Sequence, residues 1–174
     1  SSRRRHTRYI SVTGVQTCAL PILIAEFYPL LGLAFLMTGR SAEAKATFDT
    51  YDRDFADAPE FYKLLTLTAR INLHVADGEL VDAERAVGRC FSYAFAMENS
   101  RHHIQIYGAS AALAAAEGRR DRALRDLRKS EEAAFANANH LDSLIHYRYA
   151  ALVYLNLNDF RLAEESLDRM LVHL

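Results

Sequence analysis

Four turn-forming residues recur along this chain at an almost constant interval: Gly39, Gly78, Gly118 and Asn158, separated by 39, 40 and 40 residues. Other positions keep step with them. Five residues after each turn stands alanine (Ala44, Ala83, Ala123, Ala163), and nine after stands a larger apolar residue (Phe48, Val87, Leu127, Leu167). Eleven before stands Tyr28, Leu67, Tyr107 or Tyr147, and seven before stands Gly32, Ile71, Ala111 or Ala151. A fixed period of this length marks a stacked array, in which each unit buries its apolar face against its neighbours.

Between the turns the pattern is helical. Phe91, Tyr93 and Phe95 alternate, but Ala83, Val87, Cys90, Ala94 and Met97 run through them at helical spacing, so no strand is expected. Alanine and leucine dominate, and glycine and proline are scarce. The expected helices pair as about 24–38 with 42–55, 59–77 with 80–97, 99–118 with 121–137, and 139–157 with 160–174. Asp57 or Ala58 is placed to cap the third helix, with Pro59 in the first turn and Glu60 at its positive end. Asn99, Ser100 and Asn139 are further cap candidates. The glycines read as isolated helix ends, where a left-handed residue closes the last turn, and asparagine tolerates the same backbone.

The small residues have a steric reason. In a tight helix hairpin the two backbones approach near the turn, and a long side chain there would prop them apart. Alanine five residues past the turn meets that need, the small residue seven before it opposes the same crossing, and the large residue nine past it fills the groove one turn on.

These offsets resemble the tetratricopeptide repeat. Tyr28, Leu31, Gly32 and Phe35 with Ala44 and Phe48 are the closest copy, and Tyr147, Ala151 and Tyr154 with Ala163 and Leu167 follow. Ile71 and His74 depart from the small and aromatic positions in the second repeat, Ala114 departs from the aromatic in the third, and the period is longer than the family's. The resemblance implies an all-α fold, a right-handed α-solenoid of four antiparallel helix hairpins spanning 23–174, with repeats at about 24–57, 58–98, 99–138 and 139–174. Longer repeats of this kind are similar to the sensor regions of large bacterial ATP-dependent transcription activators and of some signalling cyclases and kinases. Fold alone does not fix a role.

Residues 1–22 carry a different signature. Val12 to Ile22 read VTGVQTCALPI, which resembles the translation of a short-read sequencing adapter, and Ser2 to Arg8 resemble its other end in the same frame. An arginine-rich start before the apolar run from Ala19 to Met37 imitates a secretory or twin-arginine leader, and segments of either kind must be set aside before fold reasoning. On the adapter reading the folded chain begins near Leu23 as a fragment of a larger bacterial protein. Without the four arginines of 1–22, the 21 basic residues fall to 17 against 22 acidic, and the net charge is −5 instead of −1. An acidic body argues against a phosphate-binding surface. Cys90 is then the single cysteine, so no disulfide framework is expected and a cytoplasmic location fits. The run from Leu23 to Met37 carries Glu26 and Pro29 and is too short to span a bilayer.

No catalytic or metal-binding pattern emerges. His102 and His103 are adjacent and diverge on a helix, as do His140 and His146 six residues apart, and no ligand set has zinc spacing. His74 sits in the repeat's aromatic slot and reads as a hydrogen-bonded packing histidine. Cys90 reads as a buried inert thiol. Ser41, Ser110 and Ser143 lack the context of an activated nucleophile. Glu131 and Glu132 form a solvated pair, and the run from Arg119 to Lys129 is a charged face whose field Asp121 and Asp126 partly cancel. No cofactor, metal or catalytic residue is expected.

By register, Thr68, Asn72, Gln105 and Arg148 are the candidate partner-binding residues on the inner, concave face, with Ala112 and Ala115 as a shallow floor; an ordinary solvated helix surface is the alternative. The expected function is a non-catalytic protein-protein interaction scaffold holding a protein or peptide in that groove, without nucleic acid or membrane. The alternatives are a sensor or coupling region of a multidomain transcription regulator or signalling protein, and the helical part of an enzyme whose catalytic domain lies elsewhere. Apolar edges at both ends, among them Met170, Leu171 and Val172, also point to self-association.

Overall fold

The helices break where the period falls. A computed structural model describes residues 27–94, 100–136 and 139–173. The adapter-like segment 1–22 and the cap candidate Asn99 lie outside them, as do Phe95, Met97 and the side chain of Ser100. All regular structure among the described residues is α-helical: α1 (27–37), α2 (Ser41–Asp54), α3 (Glu60–Asp77), α4 (Leu80–Ala94), α5 (Ser100–Ala116), α6 (Arg120–Phe135), α7 (His140–Asn156) and α8 (Phe160–Val172). The fold is all-α.

The period is a backbone requirement. Gly39, Gly78 and Gly118 have φ of +74°, +76° and +74°, and Asn158, the one described non-glycine residue at positive φ, has +58°. The residue after each turn donates its N–H to the carbonyl five positions back: Arg40 to Phe35 at 2.9 Å, and Glu79 to His74, Arg119 to Ala114 and Asp159 to Tyr154 at 2.8 Å each. This closure satisfies carbonyls that the helix end would leave bare, and it needs a left-handed residue at its centre. Asn139 caps α7 as its sequence position suggests, its Oδ1 accepting from the Leu141 N–H at 2.9 Å. Not every glycine ends a helix, however. Gly32, Gly88 and Gly108 lie inside α1, α4 and α5, within the helices expected at about 24–38, 80–97 and 99–118.

Contacts divide the chain within α3 into two units, Ser1–Lys63 and Leu64–Leu174. In the first, α1 and α2 approach closely at Gly32. A Cβ there would stand 2.2 Å from Cε1 of Phe48, a ring with no exposed surface. Tyr28 and Tyr51 flank Phe55, with ring centroids 5.2 and 5.7 Å from it.

The second unit is built around α5. From Ile104 to Ala115 nearly every residue of this helix is buried, and a helix apolar all round belongs in an interior. It packs against α4, α6 and α7, and α7 packs against α6 and α8. One core joins Leu64, Leu67 and Ile71 of α3 with Val87 and Cys90 of α4, Leu113 of α5 and Tyr149 of α7. A second is largely alanine: Ala111, Ala114 and Ala115 against Ala123, Leu127 and Ala150. Short side chains on both faces are what allow those helices to lie close. Ion pairs link successive turns along one edge, Arg119 to Glu84 at 3.6 Å and Arg120 to Asp159 at 3.8 Å.

Ala44, Ala83 and Ala123 have no exposed surface and Ala163 has 2%. Lengthening one of them should therefore overpack its hairpin. Ala123→Leu is expected to cost about 1–3 kcal/mol, measured by denaturant unfolding, and an unchanged midpoint would contradict the crossing geometry. The residue nine past the turn is buried as expected at Phe48, Val87 and Leu127, but Leu167 is 43% exposed because no described element covers that side of α8.

Candidate functional site

The residues expected to line a partner groove are mostly covered. Thr68, Asn72 and Gln105 are only 2, 9 and 8% exposed. Thr68 donates its hydroxyl to the Leu65 carbonyl at 2.9 Å, and Asn72 Oδ1 is sealed from solvent without a hydrogen-bond partner. Ala112 and Ala115, the expected floor, belong to the alanine core. The faces of α3 and α5 that carry these residues are turned inward, so the expectation of an open polar groove is corrected there. Arg148 alone of the four stays accessible, its guanidinium 4.4 Å from the centroid of the Tyr149 ring.

Open space lies elsewhere, in a cleft of about 420 Å³ between α6, α7 and α8. Both α6 and α8 pack on α7, but among the described residues they make no close contact with each other. The gap between them is the cleft, and α7 is its base. One stripe of each helix faces it. Leu124, Leu127, Arg128 and Glu131 come from α6, and Leu162, Glu165, Ser166 and Arg169 from α8, each set at the three- and four-residue spacing that aligns side chains on one face. From α7 come Tyr147, Ala150 and Tyr154, with His146 beside them.

His146 is fixed by a hydrogen-bonded relay. The hydroxyl of Ser130, which is wholly buried, donates to the Ile104 carbonyl at 3.0 Å. Ser130 Oγ also lies 3.2 Å from His146 Nδ1. A hydroxyl has one proton, and here the carbonyl takes it, so Nδ1 must be the N–H donor. That leaves Nε2 with the lone pair, and it has no protein partner among the described residues. Burial pushes the imidazole pKa down to about 4, so the ring is neutral near pH 7. The Tyr154 phenol is pushed above its usual range, by burial first and then by Glu131 and Asp159, so it stays a hydrogen-bond donor.

Each wall carries one arginine and one glutamate. Glu165 is held by Arg161, one turn away on α8. Arg128, Arg169 and Glu131 have no oppositely charged side chain within ion-pair distance among the described residues. The contrast with Arg119, Arg120, Arg122 and Arg161, each beside a carboxylate, is clear. The cleft therefore offers two exposed guanidinium groups without an ion-pair partner among the described residues, with a neutral imidazole and a phenol beside them.

The other sequence candidates have local partners or are buried. His74 Nδ1 is 2.7 Å from Glu79 Oε2, across the turn at Gly78. His140 and His146 do diverge: His140 meets His173, with their Nδ1 atoms 3.1 Å apart. Cys90 is buried, and desolvation pushes its thiol pKa up to about 12. Among the described residues no cluster of three or more metal-ligating side chains occurs, and no helix is long and apolar enough to cross a membrane. No protein-family model matches the chain, and no curated protein or solved structure is significantly similar to it.

Proposed function

We propose that this chain is a non-catalytic interaction module, a right-handed α-solenoid of four antiparallel hairpins built on tetratricopeptide-like lines within a larger protein. The observation that carries this reading is the recurrence of one turn. The same left-handed residue, the same backward hydrogen bond and the same buried alanine five positions later appear at 39, 78, 118 and 158. Such repetition makes an extended surface from equivalent units, and proteins built this way act chiefly by binding other proteins.

A protein or peptide is the partner this reading implies. The accessible face of α7 carries Leu141, Arg148 and Leu155 at seven-residue intervals, with both leucines about half exposed. On α8, Phe160 and Leu171 are also apolar and exposed, at 65% and 61%. Apolar anchors around one arginine suit a short apolar-acidic segment. Nucleic acid suits it less, because carboxylates already lie beside Arg119, Arg120 and Arg122.

Peptides displayed on phage and selected on the immobilised full chain provide the test. Enriched sequences should share apolar residues at helical spacing with an acid between them, and should lose binding to an Arg148→Glu, Leu155→Lys variant whose circular dichroism is unchanged. A folded chain that enriches no common sequence would refute the reading. Self-association is the competing use of the same surface, and sedimentation across a concentration series separates the two.

A second reading, a sensor or coupling region of a multidomain regulator, is supported by the cleft between α6, α7 and α8. A flat protein-docking surface has no need of a cleft of this size.

A further inference from the structure

We propose that the cleft between α6, α7 and α8 binds a small organic carboxylate with an apolar or aromatic body. The inference rests on the sensor reading and supplies the class of its effector.

Size is the first argument. A volume of about 420 Å³ falls within the roughly 300–1,000 Å³ of small-molecule sites. It would accept a ring or branched chain with a polar head, and it is too small for a folded element of a partner.

Composition is the second. Leu124, Leu127, Ala150 and Leu162 give the cleft an apolar lining for the body of the ligand. Arg128 on α6 and Arg169 on α8 stand on facing walls without a carboxylate partner among the described residues. Both arginines are exposed, and a guanidinium presents a planar fork of donors that matches a carboxylate. The acids of the site do not cancel this. Glu165 is already held by Arg161, which leaves Glu131 to accept from an amino or hydroxyl group next to the ligand's carboxylate.

The third argument is the imidazole. Its Nδ1–H is committed to Ser130, so Nε2 can act only as an acceptor. Both Nε2 and Glu131 thus favour a donor on the ligand, while Arg128, Arg169 and the Tyr154 hydroxyl favour acceptors. A hydroxy or amino carboxylate meets both demands. A cationic amine meets only one, and it would face two arginines.

The full chain can be tested with 3-phenylpropionate and L-phenylalanine, their primary amides, and phenethylamine, each at about 1 mM, by thermal shift and calorimetry. The carboxylates should raise the melting temperature and bind, while the amides and the amine should not. An Arg128→Gln, Arg169→Gln variant should unfold like the parent without ligand and bind the carboxylates about tenfold or more weakly. Chemical-shift changes on adding carboxylate should centre on Tyr154 and His146. Equal binding of acid and amide, unchanged binding by the double variant, or no binding by either carboxylate would overturn the proposal. Binding of an acidic peptide but of neither carboxylate would also overturn it, and would return the cleft to the protein-binding reading, which the phage selection tests separately.

Discussion

Gly108→Ala is expected to destabilise the protein, although alanine is the better helix former. In an open helix the exchange gains about 1 kcal/mol, because glycine loses more backbone freedom on folding. At position 108 the new Cβ would stand 2.3 Å from Cδ2, 2.5 Å from Cγ and 3.0 Å from Cβ of Tyr149. These are the root of a side chain, not its free end. The ring is 1% exposed and packed among Leu113, Ile106 and Ala109, so it has nowhere to swing. The clash must be relieved by moving α7 away from α5, and overpacking of this kind costs about 1–3 kcal/mol. Gly88 supplies the control within the same unit. It is exposed in α4 and nothing lies within 4 Å of a Cβ built there. Gly88→Ala should stabilise by about 0.5–1 kcal/mol. Opposite signs for one chemical change, measured by denaturant unfolding, would establish that α5 and α7 meet through Gly108. Stabilisation by both substitutions would mean the two helices lie farther apart than described.

Gly108 also shows where sequence reasoning stops. The turns were legible because positive φ is a demand of the backbone on a single residue, and few residue types meet it. The alanines after them were legible because one steric need recurs at one offset, and Asn139 because a cap depends on neighbours in the chain. Gly108 falls outside the periodic offsets. Its requirement comes from Tyr149, some forty residues away, and no local pattern announces it. The same holds for the cleft. Arg128 and Arg169 occupy different places in their repeats, and they line one cleft only because α6 and α8 both pack on α7. His146 read as a histidine diverging from His140, which is true of the helix and silent about Ser130 on α6. Thr68, Asn72 and Gln105 show the converse error. Polar residues at a helix register look solvent-facing in sequence, but the faces of α3 and α5 that carry these three are turned inward.

Acidification should remove stability that depends on His146. Its imidazole has a pKa of about 4 in the folded chain, against 6.5 for an unhindered one, because desolvation disfavours the charged ring. Between those values the unfolded chain binds a proton that the folded chain refuses, so stability must fall as pH falls. The contribution is fully present above about pH 6.5, declines through pH 5, and is exhausted near pH 4, where the folded protein also takes up the proton. The interval corresponds to about 3 kcal/mol. Other groups titrate over the same range, so the measurement that isolates the ring is a comparison with His146→Gln, whose amide can still donate to Ser130. The advantage of the parent over this variant at pH 7.5 should shrink by about 3 kcal/mol at pH 4. The charges facing the ring across the cleft, Arg128 and Glu131 on one wall and Arg169 and Glu165 on the other, oppose one another in sign, so burial remains the dominant cause. Parallel stability curves for parent and variant, or a His146 resonance that titrates near pH 6.5 in the folded state, would show that the ring is hydrated and that the relay through Ser130 does not hold it.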